Sequence, residues 1–104
     1  MRKAKENSLS YSDIARTLRL NKAALKGYSV KRIGIFGSYG KENQKRRSDI
    51  DFVVEFEQPT FDNFMDLLFW LKELFKREID LVTYKSLSPH LMPYVKKEIR
   101  WHEI

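Results

Sequence analysis

An apolar run that stops at a Gly-Ser pair, and resumes ten residues later around two closely spaced aspartates, constrains this chain more than any other feature. The run is Val30–Phe36, the pair is Gly37-Ser38, and Asp49 and Asp51 stand at the head of a second run, Ile50–Phe56. Short runs this rich in Val, Ile and Phe read as buried strands. Side chains at i and i+2 of a strand share a face, so Asp49 and Asp51 are expected roughly 6–7 Å apart at Cα and aimed the same way. A third carboxylate, Asp80, sits near the start of another short strand, Ile79–Tyr84. At the turn, glycine lets backbone N–H groups approach an anion closely, and Ser38 adds a hydroxyl donor.

Asp-x-Asp alone is weak evidence, because acids are common where loops enter strands. The combination carries the argument: a phosphate-type turn closes one strand, two carboxylates open the next and a third begins another. Three clustered carboxylates repel one another unless a divalent cation neutralises them. Magnesium, a hard ion that takes oxygen ligands and triphosphates, suits the set. Two such ions roughly 3.5–4 Å apart can bridge carboxylates and a nucleoside triphosphate such as ATP, activate a hydroxyl and stabilise departing pyrophosphate. On this reading Asp49, Asp51 and Asp80 are both metal ligands and catalytic residues, with Asp80 the general base. Gly37 and Ser38 grip the outer phosphates, and Lys41, Arg46 and Arg47 are available to neutralise charge, although a run such as Lys45-Arg46-Arg47 is more often a solvated loop.

The remaining elements follow from capping and periodicity. Ser10, Ser12 or Asp13 can cap a helix carrying Ile14, Leu18 and Leu20, which continues, with a break, through Ala23, Ala24 and Leu25 to a stop at Gly27. Gly37–Ser48 reads as a loop or short helix. Thr60 is placed to cap Phe61–Arg77, the clearest helix, whose apolar face is Phe61, Phe64, Met65, Leu67, Leu68, Leu71, Leu74 and Phe75. Asp62, Asp66, Glu73 and Arg77 fall on its polar face, and Phe69 and Trp70 fall at the margins, where they either meet another chain or tuck under a neighbour. Ser88-Pro89 opens a last helix to about Ile99. Trp101 and Ile104 pack the tail onto the domain, or form an edge strand open to a second copy. His90 and His102 lack metal-ligand spacing and read as surface residues. The order points to an α/β (α+β) fold with a small mixed sheet flanked by helices.

At 104 residues the chain is expected to form one domain, residues 1–104, with charged, apolar-poor residues 1–9 mobile. It carries no cysteine, 20 Lys and Arg against 14 Asp and Glu, and a formal charge of +6. Disulfides and thiolate metal sites are thereby excluded, a reducing cytoplasm is the simplest setting, and anionic partners are favoured without being identified. Neither a signal-like leader nor a membrane-length apolar run is apparent.

Gly37-Ser38, ten residues, Asp49-x-Asp51 and a distant Asp80 resemble the signature of the nucleotidyltransferase superfamily that includes polymerase β. Similarity extends through the flanking strands over roughly residues 30–100, and the short length is similar to that of the minimal nucleotidyltransferases. The pattern departs after the turn, where the family commonly has a small residue, an arginine and a glycine and this chain has Gly40, Lys41 and Glu42. The resemblance implies an antitoxin that transfers AMP from ATP to a tyrosine hydroxyl of a small helical HEPN-type toxin. Three rivals are kept: a non-catalytic antitoxin that acts by occlusion, transfer to a small molecule or RNA end, and a basic nucleic-acid-binding module.

Overall fold

The computed structural model of the chain describes residues 9–36, 50–87, 90 and 97–104. The expected mobile start, apart from Leu9, which packs against the core, the loop Gly37–Ser48 and most of the last helix lie outside these residues. The described elements are α1 (Tyr11–Leu20), α2 (Lys22–Gly27), β1 (Val30–Phe36), β2 (Ile50–Phe56), α3 (Phe61–Phe75), β3 (Ile79–Thr83), a single 3₁₀ turn (Tyr84–Ser86) and β4 (Arg100–Glu103).

Ser10 starts α1 through a reciprocal capping box. Its Oγ accepts from the Asp13 amide at 3.1 Å, and Asp13 Oδ2 accepts from the Ser10 amide at 3.1 Å, which satisfies donors the first turn would otherwise leave open. The expected break falls at Asn21, whose Nδ2 donates to the Thr17 carbonyl at 2.8 Å. Gly27 is the last residue of α2, but the left-handed residue that turns the chain into β1 is Ser29, with φ 68°. Ser29 also ties this corner to the end of β2, its carbonyl and Oγ accepting from the Glu57 and Gln58 amides at 2.8 Å.

The sheet is mixed, in the order β3-β2-β1-β4, with β2 and β3 parallel and the other pairs antiparallel. A bulge between Val30 and Arg32 adds one residue to β1. It lets Val30 face the same core as Ile33 and Ile35, which plain alternation would forbid. One face of the sheet carries Ile33, Ile35, Phe52, Val54 and Leu81 against Ile14 and Leu18 of α1, Leu25 of α2, and Leu67, Leu71 and Phe75 of α3. The Phe52 and Phe75 rings meet at 5.8 Å.

Several expectations require correction. Phe61 and Leu20 stand exposed rather than on the apolar faces of their helices. Trp70 packs on Tyr28, with ring centroids 5.6 Å apart, whereas Phe69 remains exposed. The third strand ends at Thr83, and Tyr84 opens the 3₁₀ turn. The long helix ends at Phe75, so Arg77 lies beyond it. Lys76 closes α3 in the left-handed conformation, φ 55° and ψ 42°, where glycine carries no Cβ penalty. Its ion pair with Glu73, 3.8 Å between side chains at least 80% exposed, contributes little. Lys76→Gly is therefore expected to stabilise the fold by about 0.5–1 kcal/mol, measured by urea unfolding.

The tail forms a fourth strand, paired to β1 at the edge of the sheet. Trp101 lies over the Arg32 guanidinium at 3.8 Å and beside Tyr84 at 5.6 Å, and Ile104 packs on the core. His102 is half-buried, not a surface residue: its Nε2 lies 3.1 Å from the Tyr11 hydroxyl. Burial first, then Arg19 and Lys22, push its pKa below the usual histidine value of 6.5. The unfolded chain thus takes up a proton at a pH where the folded chain does not. Stability is full above about pH 6.5 and falls as pH drops through the lowered folded value. Urea unfolding at about pH 7.5 and about pH 5.5 should show this loss, and His102→Asn should flatten it.

Candidate functional site

Alternation along β2 sends Phe52 and Val54 into the helix-packed core and leaves Asp51, Val53 and Glu55 on the other face. On β3, Leu81 is in the core, so Asp80 and Val82 take that same open face. The parallel register pairs Asp51 directly with Asp80. Neighbouring strands lie about 4.8 Å apart, so two carboxylates from strands far apart in sequence stand side by side. Asp80 is exposed and Asp51 partly buried.

The row extends to a third strand. Phe36, the last residue of β1, is the register partner of Asp51, which makes Phe36, Asp51 and Asp80 neighbours across the sheet. Sequence reasoning passed over Phe36, although the burial of Ile33 and Ile35 on the opposite face would have placed it here. The segment that carries Gly37, Ser38, Lys41, Arg47 and Asp49 joins Phe36 to Ile50. Those five candidate residues lie outside the described residues.

The open face changes character along the strands. Next to the carboxylate row, Gly34 and Val53 pair beneath Ile99 and Trp101. Beyond them Arg32 donates from Nε to Glu55 Oε1 at 2.7 Å and stacks against Trp101 and Tyr84. This second missed cluster had one signal in the sequence, an arginine inside an apolar strand. A cavity of about 410 Å³ opens farther along, between Lys31, Glu55, Pro59, Tyr84 and Lys85. It lies roughly four residues, or about 13 Å, up β2 from Asp51 and is separate from the carboxylates.

Asp51 and Asp80 offer hard oxygen donors converging from adjacent strand ends, the donor chemistry magnesium requires. Among the described residues no group of three or more His, Cys, Asp or Glu side chains gathers; the two aspartates are the described part of the expected triad. No helix of the described residues is long and apolar enough to cross a membrane.

Comparison with known proteins bears on the fold and the family. The nucleotidyltransferase domain family matches residues 18–102. A Methanocaldococcus jannaschii protein assigned by name as a protein adenylyltransferase is 41% identical over 92 residues, covering 85% of this chain and 89% of its own. The protein adenylyltransferase MntA of Thermococcus cleftensis is 33% identical over 93 residues, covering 88% and 94%. Among solved structures, a minimal nucleotidyltransferase superposes with a TM-score of 0.76 at 22% identity, over 88% of this chain and 95% of that one. A toxin-antitoxin crystallised with AMP-PNP gives 0.62 at 28% identity, over 89% and 72%. A chain of the complex between tri-AMPylated Shewanella oneidensis HEPN toxin and its MNT antitoxin gives 0.53 at 24% identity, over 97% and 71%.

Proposed function

The chain belongs to the nucleotidyltransferase domain family and is a nucleotidyltransferase; on that premise we propose that it is a magnesium-dependent adenylyltransferase that moves AMP from ATP to a tyrosine hydroxyl of a HEPN-type toxin. The observation that carries the reading is the register of Asp51 with Asp80, beside the strand end that leads into Gly37-Ser38. The toxin partner and the nucleotide draw support from the toxin-antitoxin crystallised with AMP-PNP and from the named adenylyltransferase relatives. The lack of cysteine supports a cytoplasmic setting.

In this scheme Asp49, Asp51 and Asp80 hold the cations, which when bound neutralise the carboxylates and stabilise the charge building on the α-phosphate and pyrophosphate. Gly37 and Ser38 bind the outer phosphates, and Lys41 and Arg47 offset their charge. Asp80, exposed at the outer end of the row, takes the proton from the acceptor hydroxyl. The hydroxyl oxygen then bonds to the α-phosphorus, the α–β bridging bond breaks, and pyrophosphate leaves with the electron pair. An acceptor approaching from the β3 side and a leaving group on the β1 side satisfy in-line displacement across the row.

Incubating the chain with α-labelled ATP, magnesium and the neighbouring gene's product is expected to label that product, with EDTA abolishing transfer. Inhibition of the partner that persists without any labelling would favour occlusion instead, and labelling of RNA or a small molecule with no protein acceptor would discard the toxin assignment.

A further inference from the structure

Among the described residues three large apolar side chains stand exposed: Leu20 at 77%, Phe61 at 76% and Phe69 at 57%. Single exposed apolar residues are ordinary, but these three fall on two helix faces of opposite charge. On α1 the buried residues are Ile14, Ala15 and Leu18, so the outer face carries Leu20 with exposed Arg16 one turn before it and exposed Arg19 beside it. On α3 the buried residues are Leu67, Leu71 and Phe75. Phe69 points the opposite way, set among exposed Asp62 and Asp66 and the Glu73–Lys76 ion pair, with Phe61 at the head of the helix.

The positions of the two helices matter as much as their charges. α1 packs at β4 and α3 at β3, the two outer strands of the sheet. A two-fold axis lying parallel to the strands, between two facing helix layers, sets each α3 against the other copy's α1. We propose that this face joins two copies of the chain in such an isologous dimer. Phe69 and Phe61 meet the partner's Leu20, and Asp62 and Asp66 oppose its Arg16 and Arg19. Symmetry repeats the contact, so each copy uses both its acidic and its basic face. The pairs lie at an exposed rim, where they set orientation and encounter rate and are screened by salt. Both helices pack on the face opposite Asp51 and Asp80, so dimerisation leaves each carboxylate row open.

Sedimentation analysis of the chain over a range of concentrations is expected to show a dimer at about 20 mM salt that weakens at about 500 mM. Asp62→Lys/Asp66→Lys alone, and Arg16→Glu/Arg19→Glu alone, should each raise the dimer dissociation constant at least about tenfold, since each then opposes like charges. Mixing the two variants should restore association, because in the mixed dimer both contacts are again of opposite sign. Leu20→Ser, at a position the fold leaves exposed, should also weaken self-association about tenfold. A monomer at every concentration in low salt overturns the proposal. So does a dimer indifferent to Leu20→Ser and to both reversals, or a mixture of the two variants that stays monomeric. A monomer that binds a helical partner protein through Phe69 assigns the face to that partner and equally overturns it.

Discussion

Asp80→Asn is expected to lower AMP transfer by about 10²–10⁴-fold, the usual contribution of a positioned general base, while making the protein more stable. The second half of that expectation comes from the sheet. Asp80 is the register partner of Asp51, and like charges directly opposite on adjacent strands destabilise by roughly 0.2–1 kcal/mol. Asparagine keeps the shape of the side chain and removes one of the charges, so without magnesium the unfolding free energy should rise by that amount. With magnesium the difference should shrink or reverse, since the cation stabilises the parent by binding only its folded form. Single-turnover transfer and urea unfolding, each with and without magnesium, check both halves. A variant that loses activity and also loses stability would make Asp80 a structural residue. A variant that keeps full transfer would remove it from the chemistry, and unaltered inhibition of the partner with transfer gone would point to occlusion.

Gly34→Ala is expected to produce the largest loss of stability among simple substitutions on the open face. A Cβ at Gly34 collides with Ile99 Cγ2 and sits 3.1 Å from Val53 Cγ1 and 3.2 Å from Trp101 Cε3. Ile99 is buried and Trp101 is held by its strand pairing to Gly34 and its stack on Arg32, so neither neighbour moves freely. Overpacking of this kind costs about 1–3 kcal/mol, which lowers Tm by roughly 4–8 °C per kcal/mol in a domain of this size. The cost should fall on the docking of β4. Because Ile99 Cγ2 is the first atom met, Ile99→Ala should relieve much of the strain, and the double variant should be more stable than the sum of the two singles by about 1 kcal/mol. Strict additivity would mean that Gly34 matters for another reason.

Much of the scaffold was legible in the residues because local physics decided it. β1 and β2 are short segments rich in Val, Ile and Phe with turn chemistry between them, and both occupy the spans their patterns indicate. Ser10 and Thr60 cap the helices they precede, since a side-chain oxygen three residues before an open amide is a short-range device. Phe61 was misassigned because helix periodicity counts an apolar residue whether or not a neighbouring element reaches it. The first turn of α3 has nothing packed over Phe61, which is therefore exposed. For the tail, the sequence allows a strand only as one of two options. Arg-Trp-His-Glu is too short and too polar to announce a strand, and it pairs with β1 where Gly34 leaves room for Ile99 and Trp101.

The sequence by itself determined which chemistry was on offer: the candidate trio Asp49, Asp51 and Asp80, a Gly-Ser turn and no thiol. It did so because side-chain type and spacing along the chain are local properties. That Asp80 would stand beside Asp51 was a matter for the tertiary structure alone, since 28 intervening residues say nothing of parallel register. The register follows from α3 crossing the sheet, so that Ile79 lands opposite Ile50 while Leu67, Leu71 and Phe75 are buried beneath it.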